Sequence, residues 1–316
     1  KKQLLENYVC DCKVCKSKNL VPLLRLGKSP LANNLISDQS EKFNTYLLEV
    51  NYCKDCFNCQ LSYHLDPKIM FDHYLYRSST AKKFVEHFDK AAKKYITEYG
   101  LNEDSLIVDI GSNDGIGIKY FNDRNINVIG IEPAKNLAEF SNSNGIKTIN
   151  SYFNETVADK IITENGSADL VLASNVFAHS DNLYNIAENA IRLLKKDGTF
   201  IIEFQYFIDN LKNGDFDNIY HEHYNYWNIH SLKIFFEKLG FPISRVERID
   251  THGGSIRAYI NKNKKTDDDS LKIMLSEEKK FGINDYKKLS KYAKDITMNR
   301  KKTLDKINNF KKEGKK

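Results

Sequence analysis

Long hydrophobic runs are missing from this 316-residue sequence. Its most apolar stretches, ADLVLASNVFA and GTFIIEF, are much shorter than the ~20 residues that a membrane-spanning helix needs. The first residues do not have the basic segment followed by an apolar segment that is typical of a secretory signal. The sequence begins with Lys and not with Met. Internal repeats and low-complexity tracts are also missing. We therefore expect a soluble, cytoplasmic protein of about two domains with no membrane partner.

Outside its C-terminal end, the sequence has no large excess of positive or negative charge. The net charge is +6, and residues 261–316 contain 18 Lys or Arg but only 9 Asp or Glu, so the rest of the chain is slightly acidic. No base-reading motif accompanies the basic segment, and a solvated helix face is the ordinary explanation of such charge. We expect a monomer with no nucleic-acid partner.

Cysteines are few, and all six lie in two short groups: Cys10, Cys12 and Cys15, then Cys53, Cys56 and Cys59. Each group contains a C-x-x-C pair, whose spacing lets two thiolates bind one tetrahedral zinc ion. Two pairs fill all four positions, which predicts a structural zinc rather than a disulfide framework. Cys10 and Cys59 compete as ligands, and six free cysteines are the alternative. The predicted zinc ligands are Cys12, Cys15, Cys53 and Cys56.

Strand and helix patterns alternate through the middle of the chain. Residues 80–99 predict a helix that ends at Gly100, and five apolar strand patterns follow, each connected to the next by a turn and a helix pattern. This alternation predicts an α/β fold with a parallel, doubly wound sheet. Two strands around the glycines of THGGS would extend that sheet. After Ser270 the pattern is mostly helical.

The first turn of this sheet is DIGSNDG, with the spacing D-x-G-x-x-x-G. Glycine lets the backbone approach a ligand, and the next helix offers unpaired N–H groups. The second strand ends in an acid about 20 residues beyond the turn, where a ribose diol is commonly held. Because position 113 is Asn, the dinucleotide fingerprint is incomplete, which favours S-adenosylmethionine over NAD. The predicted cofactor residues are Asp109, Gly111, Ser112, Asn113, Gly115, Glu132, Pro133 and Asn175.

A motif rich in histidine, YHEH at residues 220–223, follows the fifth strand pattern. Histidine acts as a base near neutral pH, and an adjacent phenol or carboxylate can orient it. His179, just after the fourth strand, would point into the same cleft. The alternatives are hydrogen-bonded core histidines and a zinc site formed by the two histidines and the glutamate.

These motifs resemble the sugar C-methyltransferases that act on nucleotide-linked 4-keto-deoxy sugars. The resemblance rests on the two C-x-x-C pairs, LGKSPLANNL, FDHYLYRSST, DIGSNDG, GIEPAKNLA, NVFAHSDNL, FDNIYHEHYNY and THGGSIRAY, in family order. It implies a Rossmann-like class I methyltransferase sheet, preceded by a small zinc-binding domain and followed by a helical segment. It also implies deprotonation of carbon 3 of a nucleotide-linked 4-keto-6-deoxy sugar and methylation of the enolate. An O- or N-methyltransferase and a non-catalytic zinc-containing binding protein are the alternatives.

The resemblance also assigns roles to individual residues. His223 becomes the base, with Tyr220 and Glu222 supporting proton transfer. His179 lies near the ketone oxygen. A hairpin turn explains the glycines at 253 and 254 as well as a binding role does. The residues implied to contact substrate are Tyr74, Tyr76, Ser78, His252 and Ser255.

The sequence departs from the family pattern in two places. Phe57-Asn58-Cys59-Gln60-Leu61 stands where the family usually has Gly-Leu-Val-Gln-Leu, which questions whether Cys59 is idle. Family members also continue into a further Rossmann-like C-terminal domain, whereas this chain stops at Lys316. We therefore expect a zinc-binding domain at 1–70, a methyltransferase domain at 71–262, and a helical linker at 263–316 that leads to an absent C-terminal domain.

Overall fold

Two β-sheets organise the protein, of which the structure, a computed structural model, describes residues 7–35, 38, 40–263 and 268–315. One sheet has four strands and the other has seven. Among the helices of these ranges, none has the length and apolar composition needed to cross a bilayer.

The small sheet lies in the part of the chain that carries the predicted zinc ligands, of which Cys53 is the last residue of a strand and Cys12, Cys15 and Cys56 lie in the flanking turns. Its first three strands form an antiparallel meander, β1 (Leu20–Ser29), β2 (Tyr46–Cys53) and β3 (Cys59–Leu61). Its fourth strand, β9 (Asn225–Tyr226), comes from far along the chain and places Tyr226 opposite Cys59. The sheet of the predicted 1–70 domain is therefore completed by residues just after the YHEH motif. Because β9 has only two residues, the sequence shows no alternating apolar pattern there and did not predict this strand.

The large sheet has the strand order β10-β11-β8-β7-β4-β5-β6. Five strands are parallel, as predicted, and the hairpin around THGGS adds two antiparallel strands at one edge. The α/β fold with a doubly wound sheet is confirmed. Its strands are β4 (Leu106–Ile110), β5 (Asn127–Glu132), β6 (Thr148–Asn150), β7 (Ala168–Ser174), β8 (Leu194–Gln205), β10 (Ile243–Ile249) and β11 (Ser255–Asn261).

Helices cover both faces of the large sheet. Successive side chains of a strand point to opposite faces, so Ile107 packs with α2 and α3, whereas Val108 belongs to the core that contains α5, α6 and α8. The helix over residues 80–99 is confirmed, and it ends at Gly100 in the left-handed conformation, with φ of 62°. The helices before residue 263 are α1 (Pro67–Phe71), α2 (Lys82–Tyr99), α3 (Ile116–Asn122), α4 (Lys135–Ser143), α5 (Glu155–Asn165), α6 (Leu183–Leu193), α7 (Phe207–Asn213) and α8 (Ile229–Lys238).

Two further helices, α9 (Ser270–Phe281) and α10 (Tyr286–Lys312), pack against the rest of the protein. The buried carboxylate of Glu278 accepts hydrogen bonds from the backbone N–H groups of Ile229, at 2.6 Å, and His230, at 2.9 Å. These are orphan donors of the first turn of α8, so Glu278 caps that helix from outside. At the start of α10, Tyr286 donates its hydroxyl to the carbonyl of Pro22 in β1. The helices after residue 263 thus contact both sheets.

Candidate functional site

A cavity of about 830 Å³ opens at the carboxyl ends of the parallel strands. Strand β4 lies between β5 and β7, which is the point where the strand order reverses. Open α/β sheets bind ligands in the crevice at such a point. The volume lies within the range typical of small-molecule and cofactor sites. The residues that follow β4, β5 and β7 form one wall of this cavity.

The glycine turn after β4 lies against the cavity as predicted. Gly111 has a φ of +68°, and a Cβ added there would lie 2.5 Å from Cγ2 of Val176, so only glycine fits. Asn113 also has a positive φ, of 52°. Gly115 does not line the cavity. A Cβ at Gly115 would lie 2.5 Å from the hydroxyl of Ser141, so this glycine permits the packing of α3 against α4.

Two buried carboxylates stand beside this turn. Glu132 accepts hydrogen bonds from the backbone N–H groups of Asn113 and Ala134, each at 2.8 Å. Burial nevertheless raises the pKa of Glu132 to about 7. Burial and the neighbouring charge of Glu132 raise the pKa of Asp109 to about 8. A ligand with hydroxyl donors and positive charge would stabilise both carboxylates in their ionised form.

These acids therefore fit S-adenosylmethionine, which carries ribose hydroxyls, an ammonium group and a sulfonium. Pro133 and Asn175, two further predicted cofactor residues, also line the cavity, as do Gly111 and Ser112.

Residues 72–80, which we call the strap, contribute to the cavity wall. The side chain of Asn136 binds the backbone of Tyr74 twice, with its amide oxygen 3.3 Å from the nitrogen and its amide nitrogen 2.8 Å from the carbonyl oxygen. The side chain of Asn113 donates to the carbonyl of Tyr76 and accepts from the backbone N–H of Ser78, at 3.2 and 3.0 Å. The strap is thus fastened to the loop after β4 and to the first turn of α4, and Tyr74, Tyr76 and Ser78 line the cavity.

His223 and Tyr220 lie together in the cavity wall. Nδ1 of His223 is 2.7 Å from the backbone carbonyl oxygen of Asn218. A carbonyl can only accept, so in the neutral ring Nδ1 carries the proton and the unprotonated Nε2 is a hydrogen-bond acceptor. That Nε2 lies 3.0 Å from the hydroxyl of Tyr220. Burial lowers the pKa of His223 to about 4, so the imidazole is neutral and can accept a proton near neutral pH.

His179 stands next to this pair. Its ring centroid is 4.7 Å from that of His223, and the two rings are nearly perpendicular. Burial, and then the neighbouring His223, hold the pKa of His179 well below its ordinary value. The structure therefore brings two neutral imidazoles and one phenol to one end of the cavity. Such a group can remove a proton and hydrogen-bond to a developing negative charge.

Three other predicted residues have different surroundings. Glu222 does not line the cavity; its carboxylate accepts hydrogen bonds from Asn33 and Tyr74. Ser255 also lies outside the lining and donates its hydroxyl to the carbonyl of Thr251, which closes the β10–β11 hairpin. His252, in contrast, lines the cavity.

Several cavity residues were missed by the sequence reasoning. Residues 151–154 follow β6, the third strand of the parallel set, and the rule that ligands bind at carboxyl ends of strands would have found them. Gln205 could have been found in the same way, at the end of β8. Asn33 and Asn218 had no such signal, because they lie in loops far from a predicted strand end.

The four predicted zinc ligands come together in the small sheet. Their Sγ atoms all lie within 4.8 Å of one another, with Cys12 3.5 Å from Cys56 and Cys15 3.6 Å from Cys53. A tetrahedral zinc with Zn–S bonds of about 2.3 Å needs sulfur atoms about 3.8 Å apart, so the set fits. Cys59 is buried but outside this set. Among the described residues no second group of three His, Cys, Asp or Glu has ligand spacing, so the YHEH alternative gains no support.

Comparison with protein families gives three matches along the chain. Residues 84–245 match the methyltransferase domain model, residues 12–71 match a zinc binding domain, and residues 250–316 match the C-methyltransferase C-terminal domain. The expectation that a Rossmann-like domain is absent is wrong, because the methyltransferase match at 84–245 contains a Rossmann-like sheet. The linker assigned to 263–316 stays a prediction. The helices of this segment belong to the region matched by the C-terminal domain model, and the Rossmann-like sheet belongs to the methyltransferase match.

Among curated proteins, the chain is similar to the C-methyltransferase NovU of Streptomyces niveus, with 34% identity over 251 residues. The match covers 79% of this chain and 60% of NovU, so the chain spans about three fifths of the length of that relative. Among solved structures, the PH0226 protein of Pyrococcus horikoshii has a TM-score of 0.46 at 14% identity, covering 59% of this chain and 94% of that one. The magnesium protoporphyrin IX methyltransferase of Synechocystis has a TM-score of 0.42 at 12% identity, covering 57% and 79%.

Proposed function

We propose that this chain, which belongs to the methyltransferase-domain family, methylates carbon 3 of a nucleotide-linked 4-keto-6-deoxy sugar. The observation that carries the proposal is the neutral His223, whose unprotonated Nε2 accepts a hydrogen bond from the Tyr220 hydroxyl in a cavity that also contains the glycine turn and Glu132. The similarity to NovU, a C-methyltransferase, and the match to a C-methyltransferase C-terminal domain agree with it.

The cofactor end and the acceptor end of the cavity have separate tasks. S-adenosylmethionine, when bound, supplies an electrophilic methyl group on a positively charged sulfur. Asp109 and Glu132 would hold it through its hydroxyl and ammonium groups, and Gly111 lets the backbone approach it closely. This leaves Tyr220, His223 and His179 free to act on the acceptor.

The acceptor chemistry requires a base because the methyl group goes to carbon. The ketone at carbon 4 makes the proton on carbon 3 acidic, and His223, directly or through Tyr220, takes that proton. The electrons of the C–H bond form an enolate, whose negative oxygen accepts a hydrogen bond from a neighbouring donor. Carbon 3 then attacks the methyl group, the carbon–sulfur bond breaks, and its electron pair stays on sulfur.

The test is incubation of the full-length protein with S-adenosylmethionine and dTDP-4-keto-6-deoxy sugars in deuterium oxide, followed by mass spectrometry. The proposal expects a gain of one methyl group and, in reactions stopped early, deuterium at carbon 3. Methylation at oxygen or nitrogen, without exchange at carbon 3, would instead support an O- or N-methyltransferase. No S-adenosylmethionine binding by calorimetry would support a non-catalytic protein.

A further inference from the structure

Three polar side chains from three separate parts of the chain meet beside the cavity. Asn33 donates from its amide nitrogen to one carboxylate oxygen of Glu222, at 2.7 Å, and lies 3.2 Å from the hydroxyl of Tyr74. Tyr74 donates to the other carboxylate oxygen of Glu222, at 2.6 Å. Asn33 belongs to the loop between β1 and β2, Tyr74 to the strap, and Glu222 to the YHEH motif. The cluster therefore ties the small sheet to both.

The cluster lies at the acceptor end of the cavity. Glu222 is adjacent to His223, and the backbone of Tyr74 is held by Asn136 near the cofactor end. Among the described residues of the β1–β2 loop, Ala32 and Asn33 line the cavity. The small sheet thus contributes part of the wall next to the residues that would take the proton.

Glu222 depends on these two donors. Its side chain is only 2% exposed, and burial raises its pKa, an effect that the hydrogen bonds from Tyr74 and Asn33 oppose. A buried carboxylate oxygen that loses its donor is left without a hydrogen bond and without water, which is unfavourable. Hydrogen bonds to charged groups are the stronger kind. Removing the Asn33 amide would therefore displace Glu222 or its neighbours in the wall.

The amide of Asn33 still has an unused acceptor. Both N–H bonds of its nitrogen are directed at the cluster, whereas its oxygen accepts no hydrogen bond from the residues that the structure describes. Because Asn33 lines the cavity, that oxygen can accept a hydrogen bond from a ligand that carries a hydroxyl group.

We propose that the zinc-binding part of the chain forms a wall of the acceptor site, and that Asn33 is the residue through which it acts. Asn33 holds Glu222 and Tyr74 in place with its amide nitrogen and binds a hydroxyl of the acceptor with its amide oxygen. This inference rests on the proposed function, since it assumes a hydroxylated sugar acceptor. It predicts that Asn33 controls the affinity for the acceptor and not the affinity for the cofactor.

The test compares Asn33→Ala and Asn33→Asp with Asn34→Ala in the full-length protein. Asn34 is the neighbouring residue of the same loop, is exposed and does not line the cavity, so it is a matched control. Calorimetry measures the dissociation constants of S-adenosylmethionine and of a dTDP-4-keto-6-deoxy sugar. Loss of a neutral hydrogen bond between a sugar hydroxyl and the amide oxygen corresponds to about a two- to tenfold change in affinity, so both Asn33 variants should bind the sugar more weakly by about that factor. The cofactor affinity of all three should stay within about twofold of wild type.

Asn33→Asp separates the two ends of the amide. It keeps an oxygen acceptor, but it replaces the donor with a carboxylate beside Glu222, so it should be at least as damaging as Asn33→Ala. Sugar binding by Asn33→Ala within twofold of wild type would overturn the inference, and so would an equal loss of cofactor affinity.

A double-mutant cycle with Tyr74→Phe guards against a simple folding defect. Tyr74→Phe removes the second donor to Glu222 and keeps the ring. Because both side chains act on one carboxylate, the double variant should lose less sugar affinity than the product of the single losses, and additive losses contradict the cluster. If wild type binds no nucleotide sugar, the proposed function and this inference fail together. If wild type binds and methylates the sugar while Asn33→Ala binds it equally well, only this inference fails.

Discussion

If His223 accepts the proton, as proposed, its lowered pKa predicts how the activity depends on pH. The imidazole has a pKa of about 4 because it is buried, against about 6.5 for an ordinary histidine. At pH 5.5 an ordinary imidazole would be about 90% protonated, whereas one with a pKa of about 4 would be about 3% protonated. The base would therefore remain almost fully available at a pH where most histidine bases are blocked.

The expected pH profile is that of kcat/KM for the sugar at saturating S-adenosylmethionine, because the bound cofactor would keep Asp109 and Glu132 ionised. Its acid limb then follows from the sign of the His223 shift. His223 must be neutral to accept the proton, so activity falls only as the pH drops through about 4, not through 6.5. Because the pKa of His223 in the folded state lies below that in the unfolded state, its contribution to stability is present above 6.5 and is lost as the pH falls towards 4. Thermal unfolding measured at each pH separates loss of the base from loss of the fold.

The matching substitution is His223→Gln, with His221→Gln as its control. His221 belongs to the same motif, but it does not line the cavity and its Nε2 lies 3.2 Å from the carbonyl oxygen of Tyr46. General base catalysis is worth about 10²–10⁴ in rate, so His223→Gln should lose that much kcat and most of the deuterium exchange at carbon 3. His221→Gln should retain both. An acid limb near pH 6.5, or less than a tenfold loss in His223→Gln, would refute the assignment.

Three further predictions concern the cofactor turn and the cysteines. Gly111→Ala adds a Cβ at φ +68° and 2.5 Å from Val176, so urea unfolding should show that the free energy of unfolding falls by about 1–3 kcal/mol. Val176→Ala should restore part of this loss. An unchanged free energy of unfolding would contradict the steric argument. Glu132→Gln replaces one of two acceptors for backbone N–H groups with a donor, so calorimetry should show about tenfold weaker S-adenosylmethionine binding, and equal binding would exclude this carboxylate from the site. Metal analysis should find one zinc per chain, lost in Cys56→Ser but kept in Cys59→Ser; loss in both variants would place Cys59 among the ligands.

The sequence was sufficient for features that repeat or that lie at fixed distances. The sheet, the helix that ends at Gly100 and the four zinc ligands all follow from periodicity or from short spacing. The cavity position of Gly111 follows from the rule that glycine turns after the first strand face a ligand. These patterns depend on residues that lie close together in the sequence, so they can be recognised without knowing the rest of the fold.

Features that depend on contacts between distant segments were not predicted. Glu222 looked like a partner of the histidines because it is adjacent to them in the chain, yet its carboxylate points to Asn33, which is 189 positions away. Gly115 looked like a ligand-facing glycine, but Ser141 is what requires it. In both cases the deciding neighbour comes from an element whose position is fixed only by the complete fold.

The two-residue strand β9 limits how the parts of this protein can be exchanged. Its pairing partner, Cys59, lies three positions after a predicted zinc ligand, and Asn225 lies two positions after His223. In a chimera that takes residues 1–70 from a homologue, β3 would come from the homologue, whereas its pairing partner β9 would come from this protein. Such a graft needs the segment around residues 218–228 from the same parent, so we expect the zinc-binding sequence and the loop with the proposed histidine base to be inherited together.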